Sequence, residues 1–233
     1  MAQQRFYVIL YFRANRFYII DKLVKPIRLL DGSQPKRFNS IFAYSTNYSE
    51  FDMFSLICKW IYHLIGWKVV GTYPHEIPKK IIIVAPHTSS WDVPVGLLVK
   101  FWLKMDAQYY VKKDMFKGIL KYILPLTNAI PIDRSGNTNF VESVIADYKQ
   151  ADKRTTLITP EGTRKRVKKF RTGFYYIADG AKIPIIPISF DFEQKKIEIH
   201  PAYHTNGNVE KEIAEIEDIF RGVPGCVREY SFV

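Results

Sequence analysis

His87 and Asp92 stand five residues apart in the run Pro86-His87-Thr88-Ser89-Ser90-Trp91-Asp92, directly after the apolar stretch Ile81–Ala85. An imidazole oriented by a carboxylate can take a proton from a hydroxyl near neutral pH. Three later blocks, Ile130-Pro131-Ile132-Asp133-Arg134, Glu161-Gly162-Thr163-Arg164 and Ile183-Pro184-Ile185-Ile186-Pro187, are expected to supply cationic groups and tight turns at later strand ends. A base beside fixed cations can activate a hydroxyl on a molecule that carries a phosphate. Such a hydroxyl can attack a thioester, so the layout implies acyl transfer.

For these residues to meet, the chain between them must return repeatedly to one edge of a sheet. The pattern after Lys80 does this, alternating short apolar runs with helical periods. Strands are predicted at Ile81–Ala85, Gln108–Val111, Ala129–Ile132, Thr155–Thr159 and Ile183–Phe190. Helices are predicted at Val93–Lys104, at Asp114–Leu124 with Pro125 as its stop, after a cap at Asn139 with Glu142 three residues on, and around Thr172–Asp179. Asp191–Lys196 reads as a hairpin into Lys196–His200, and Val209–Phe220 as a last amphipathic helix closed by Gly222. This is an α/β fold with a mainly parallel central sheet and helices on both faces, preceded by an amphipathic N-terminal helix.

In open sheets of this kind ligands bind outside the carboxyl ends of the strands, where His87 falls. Thr88, Ser89 and Ser90 are competent helix caps, which puts Asp92 in the first turn of the next helix with its carboxylate turned back to one imidazole nitrogen. The other nitrogen then faces the cleft. The competing reading is a structural His–Asp hydrogen bond. No metal site is expected: a third ligand is missing, and His200 and His204 are separated by Pro201-Ala202-Tyr203. Ser89 and Ser90 lack the Gly-x-Ser-x-Gly elbow of a serine nucleophile.

The 233 residues are enough for one catalytic domain. A hydrophobic share of 47% with 15% aromatics excludes a disordered chain, yet no stretch of about 20 residues is uncharged, as a membrane span requires. Cys58 and Cys226 form no paired motif, which suits a reducing compartment. A net charge of +11 draws polyanions: nucleic acid, anionic headgroups or phosphorylated small molecules. Arg164, Lys165, Arg166, Lys168, Lys169 and Arg171 concentrate that charge beside the Glu161–Arg164 block.

Residues 1–52 form an aromatic and basic extension, read as a membrane-surface helix or a poorly ordered segment. Residues 53–67 carry a helix whose apolar positions Met53, Phe54, Ile57, Trp60, Ile61, Leu64 and Ile65 fall on one side, with Ser55, Lys59 and His63 on the other. That helix either packs on the core or lies in a bilayer interface. Residues 68–222 are the catalytic domain and 223–233 a C-terminal tail.

The four blocks together resemble the four motifs of the glycerol-phosphate and lysophospholipid acyltransferase superfamily over roughly residues 68–220. The resemblance implies His87 as general base, Asp92 as its partner, and Arg164, Thr163 and Gly162 as holders of the acceptor phosphate. Arg134 and Lys112 would add positive charge, and Glu161 would organise the turn. Pro86 stands where the family often has asparagine, and Asn128 and Ala129 where it commonly has glycines. The resemblance further implies acyl-CoA or acyl-carrier protein as donor, a lysophospholipid acceptor, no cofactor, and peripheral attachment to the anionic cytoplasmic face of a membrane. The helix with Leu97, Leu98, Phe101 and Trp102 would either line an acyl groove or be plain core. A noncatalytic peripheral lipid-binding protein is the alternative. A nucleic-acid partner is not expected, because no binding motif accompanies the charge.

Overall fold

The structure, a computed structural model, describes residues 10–13, 16–19, 46–132 and 140–232. The chain divides into two units, Met1–Asp52 and Met53–Val233. In the first, β1 (Leu10–Arg13) and β2 (Arg16–Ile19) pair antiparallel, so these aromatic and basic residues are strand where a surface helix was one expectation. Of the rest of that extension, residues 46–52 are helical, so the helix expected from residue 53 begins at Thr46; the others, like Asp133, Arg134 and Asn139, lie outside the described residues.

The second unit is built on a seven-stranded sheet in the order β3-β9-β8-β4-β7-β5-β6. Its strands are β3 (Lys68–Val70), β4 (Lys79–Ala85), β5 (Gln108–Lys112), β6 (Ala129–Ile132), β7 (Arg154–Ile158), β8 (Ile185–Asp191) and β9 (Lys196–Ile199). β8 and β9 pair antiparallel; the other described neighbours run parallel. The helices are α1 (Thr46–Leu64), α2 (Asp92–Trp102), α3 (Leu120–Leu126), α4 (Phe140–Gln150), α5 (Gly173–Ala181) and α6 (Val209–Phe220).

From Ile81 to Ala85 β4 is apolar because both of its faces are covered, as a central parallel strand requires. Ile81, Ile83 and Ala85 point to one side, against Val144 and Tyr148 of α4, Phe174 and Ile177 of α5, and Ile216 and Phe220 of α6. Ile82 and Val84 point to the other, against Tyr62 of α1 and Val95 and Val99 of α2. This two-residue alternation puts helices on both faces, as the sequence pattern implies.

Three expectations need correction. The Asp114–Leu124 helix is instead a 3-10 turn at Lys113–Met115 followed by α3, because Gly118 breaks the path at φ +56°. Pro125 does not stop α3 but sits inside its last turn. The Ile183–Pro187 block is not at a strand end: it leads into β8, with Ile185 and Ile186 fully buried and Pro187 opposite Ile83, so it builds the core beneath the site.

On α1 the buried positions are Ser55, Cys58 and Tyr62, with the Ser55 hydroxyl donating to the Trp102 carbonyl at 2.7 Å. The apolar stripe faces outward: Trp60 is 75% exposed and Leu64 78%. The middle and end of that stripe are therefore turned away from the core, while Phe54 still reaches Phe101 of α2. No helix among the described residues is long and apolar enough to cross a membrane.

Candidate active site

The carboxyl ends of β4, β7 and β5 lie at one end of the sheet, and His87, Glu161 and Lys112 stand at or just after them. β4 stops at Ala85, the chain turns through Pro86, and His87 follows. Asp92 is the first residue of α2. Its Oδ2 receives His87 Nδ1 at 2.8 Å, the Thr88 amide at 2.8 Å and the Ser89 amide at 3.0 Å. Two backbone amides and the start of a helix thus converge on this one side chain. Acceptance by Asp92 puts the imidazole proton on Nδ1 and leaves Nε2 as an acceptor on the far edge of the ring. Asp92 Oδ1 is buried and has no hydrogen-bond partner among the described residues.

Asp92 thus falls in the first turn as expected, but the cap differs. Trp91 occupies the N-cap with no side-chain bond, and Ser89 Oγ accepts from the Trp91 amide at 3.2 Å. The carboxylate that reaches back to Thr88 and Ser89 belongs to Asp92 itself.

Glu161, after the end of β7, is 3% exposed. Its carboxylate accepts the His87 amide at 2.8 and 3.1 Å, one distance per oxygen. Burial pushes the carboxyl up to about 8; the Asp92 charge adds to that rise, and the His87 amide opposes it. Gly162 is held at φ +63°, and a Cβ there would fall 2.6 Å from Arg171 Nε. Only glycine combines that conformation with Arg171 folded so closely over the turn. Thr163 Oγ1 accepts the Lys165 amide at 3.3 Å.

Arg164 returns to the first motif. Its Nη1 donates to Ser90 Oγ at 2.9 Å and its Nε to His87 Nε2 at 3.4 Å. His87, Asp92, Glu161 and Arg164 are therefore joined by direct contacts, with Gly162 and Thr163 shaping the turn between two of them. Lys112 ends β5, two strands from β4, and is exposed at the same end of the sheet. Ser90 was legible only as a cap; its partnership with Arg164, 74 residues away, leaves no mark in the local sequence.

Arg164, Lys165, Arg166, Lys168 and Lys169 are exposed, while Phe170 is buried with its amide on Glu217 Oε1 at 2.7 Å, which anchors the end of the basic run. On α2, Leu98 and Trp102 pack against the core, whereas Phe101 meets Phe54 edge-on at 5.3 Å. His200 is an internal residue: its Nε2 lies 3.1 Å from Ser189 Oγ, and burial lowers its affinity for a proton. Among the described residues no three His, Cys, Asp or Glu side chains gather as metal ligands would.

A family model described as Acyltransferase matches residues 68–191. The chain is 27% identical over 177 residues to the probable 1-acyl-sn-glycerol-3-phosphate acyltransferase of Mycoplasma genitalium, covering 72% of this chain and 65% of that protein. It is 28% identical over 146 residues to the corresponding probable enzyme of Mycoplasma pneumoniae, covering 59% of this chain and 54% of that one. The chain thus spans less than two thirds of the length of either Mycoplasma relative. To the 1-acyl-sn-glycerol-3-phosphate acyltransferase of Haemophilus influenzae it is 26% identical over 190 residues, 76% of each chain. The crystal structure of the 1-acyl-sn-glycerophosphate (LPA) acyltransferase PlsC from Thermotoga maritima covers 78% of this chain and 84% of that one, with a TM-score of 0.53 at 17% identity. The two share a fold.

Proposed function

The chain belongs to the acyltransferase family, and from that premise we propose that it moves a fatty acyl group from an acyl thioester to the hydroxyl of lysophosphatidic acid or a related lysophospholipid. The observation that supports this reading is the line Asp92 Oδ2, His87 Nδ1, His87 Nε2, Arg164 Nε, in which one edge of the imidazole is fixed by a carboxylate and the other meets a guanidinium, a group suited to hold phosphate. The relatives named above as 1-acyl-sn-glycerol-3-phosphate acyltransferases support the choice of acceptor.

The acceptor phosphate takes the Arg164 guanidinium, drawing it from His87 Nε2 and placing the acceptor hydroxyl there. As the hydroxyl oxygen attacks the thioester carbonyl, its proton passes to Nε2, and Asp92 stabilises the imidazolium. The C–O bond forms, the C–S bond breaks, and the departing thiolate takes the proton back from His87. No cofactor enters this scheme, because positioning and proton removal suffice between two bound substrates. The donor is acyl-CoA or acyl-carrier protein. Thr163, Gly162 and the exposed Lys112 support Arg164 in drawing phosphate to this end of the sheet, and the resemblance of Ile130–Arg134 to the family's second motif gives Arg134 the same role.

We place the enzyme peripherally at the anionic cytoplasmic face of a membrane. The support is the outward apolar stripe of α1, with Lys59 beside it, and the exposed basic run next to the site. The test is thiol release from a long-chain acyl-CoA in mixed micelles, with and without lysophosphatidic acid. Acceptor-dependent release lost in His87→Ala is the expected result. A silent His87→Ala, with vesicle binding that depends on Lys168 and Lys169, would favour the noncatalytic lipid-binding alternative.

A further inference from the structure

Thr88 lies between the proposed base and its carboxylate, and it is 3% exposed. Its amide donates to Asp92 Oδ2, which accounts for one side of the residue. Its hydroxyl points the other way, where Thr88 Oγ1 accepts the backbone amide of Val227 at 3.0 Å across 139 residues of chain. Beside that bond, Gly225 approaches so closely that a Cβ would fall 2.6 Å from Thr88 Cγ2, 2.7 Å from Thr88 Oγ1 and 3.2 Å from Pro86 Cγ. Gly225 and Val227 of the C-terminal segment therefore lie against the loop that carries His87.

The segment is anchored on both sides of this contact. Before it, the Pro224 carbonyl accepts the Phe192 amide at 2.9 Å, just past the end of β8. After it, the Gly225 amide donates to Ser231 Oγ at 2.9 Å, closing residues 225 to 231 into a loop stiffened by the 3-10 turn Arg228–Tyr230. Phe232 then fills the core at 1% exposure, with its ring 4.3 Å from that of Phe170. Phe170 closes the stretch that begins at Glu161. The segment thus connects the outer side of the His87 loop to the base of the Arg164 loop.

We propose that Pro224–Phe232 is a strap that positions the catalytic loop, with Thr88 and Gly225 as positioning residues for the His87–Asp92 pair. The proposal rests on the reading of His87 as the base. Thr88 cannot shift without carrying its amide away from Asp92 Oδ2, and Asp92 cannot shift without altering its bond to His87 Nδ1. The strap limits that shift from behind: the Val227 amide fixes the height of the hydroxyl, and the bare Cα of Gly225 lets the two backbones close. A methyl group at 225 has no room unless the catalytic loop or the strap moves.

The test compares Thr88→Val, Thr88→Ser and Gly225→Ala in the full chain. Thr88→Val keeps the shape and removes the acceptor for Val227; Thr88→Ser restores the hydroxyl. Because misplacement of a reacting group by about 1 Å can cost about a hundred-fold in rate, Thr88→Val and Gly225→Ala are expected to lower kcat by about ten- to a hundred-fold with KM for both substrates within about two-fold of the parent. Thr88→Ser is expected to return kcat towards the parent. Independently of turnover, the His87 Nδ1 proton resonance should lie downfield in the parent and Thr88→Ser, and move upfield in the two impaired variants as the bond to Asp92 loosens. Unchanged kcat and an unmoved resonance in Thr88→Val and Gly225→Ala would overturn the strap. So would a loss in which KM and thermal stability change with kcat while the resonance stays in place, since that describes general damage. A resonance that moves in a protein whose His87→Ala variant is fully active would instead uphold the strap and overturn the role of His87.

Discussion

Glu161 accepts the His87 backbone amide with both carboxylate oxygens, at 2.8 and 3.1 Å, from a position 74 residues further along the chain. The acidic residue of the Glu161–Arg164 block is thus more than the organiser of its own turn: it holds the backbone of the candidate base. Glu161→Ala leaves that amide without its partner at a buried site, so destabilisation of about 1–3 kcal/mol is expected. Glu161→Gln keeps one acceptor oxygen and should lose less. Denaturant unfolding of the two variants beside the parent gives the comparison, and equal losses would mean that the amide is not what the carboxylate serves.

The same burial gives Glu161 a pH signature. Its carboxyl is raised from 4.5 to about 8 in the folded chain, so the native state binds this proton more tightly than the unfolded one. Wherever the native state binds more protons, stability falls as pH rises. The contribution of Glu161 is therefore most favourable below about 4.5, declines between about 4.5 and about 8, and is constant above. Other carboxylates titrate in the acid part of that window, so the informative quantity is the difference between parent and Glu161→Gln. Thermal midpoints across the range should converge in the variant's favour as pH rises; a difference independent of pH would show that the proton is not held.

The pair His87–Asp92 was legible because its physical basis is local: five residues, a strand end and a helix start decide whether the two side chains can meet. The central strands were legible for a similar reason, since Ile81–Ala85 of β4 and Ile185–Ile188 of β8 are covered on both faces and so read as apolar runs. β3 escaped notice because it has only three residues at the sheet's edge, with two of them exposed, so neither alternation nor an apolar run marks it. The stripe on α1 was visible while its direction was not. Periodicity shows that a face exists, but Ser55, Cys58 and Tyr62 hold the helix to the core from the other side. Contacts whose far partner is a backbone amide, Glu161 with His87 and Val227 with Thr88, carry no residue signature at one end and depend wholly on tertiary structure.

Asp92 serves three donors with one oxygen, which makes its charge and its position separable by substitution. Asp92→Asn keeps the size but weakens acceptance and can present an N–H to the imidazole, favouring the wrong tautomer. A fall in kcat of roughly 10²–10⁴-fold is expected, the range general-base catalysis covers, with the fold retained by circular dichroism. A variant with near-parental kcat would return the His87–Asp92 contact to a purely structural role.

Arg164 is exposed and is bound to Ser90 and His87. If it holds the acceptor phosphate, Arg164→Ala should raise the acceptor KM by about ten- to a hundred-fold, the loss expected of one charge-assisted contact. The donor KM should change little. Arg164→Lys should recover only part of the affinity, because an ammonium cannot make the guanidinium's paired bonds to phosphate. Initial-rate kinetics with each substrate varied in turn separates the two constants. A rise confined to the donor KM would reassign Arg164 to the donor's phosphates.

Trp60 and Leu64 are 75% and 78% exposed on the outward stripe of α1, so neither contributes much to the packing of the domain. Trp60→Glu with Leu64→Glu should therefore leave the thermal midpoint nearly unchanged while removing much of the affinity for anionic vesicles, because two charges would have to enter the interface with the helix. Activity on a monomeric short-chain acceptor should survive, since the His87–Asp92 pair does not depend on this face, whereas activity on vesicle-borne acceptor should fall with binding. Cosedimentation with phosphatidylglycerol vesicles and thiol release on both acceptors measure the two effects. Undiminished vesicle binding would assign membrane attachment to the basic run after Arg164, and parallel loss of both activities would mean that the stripe shapes the site itself.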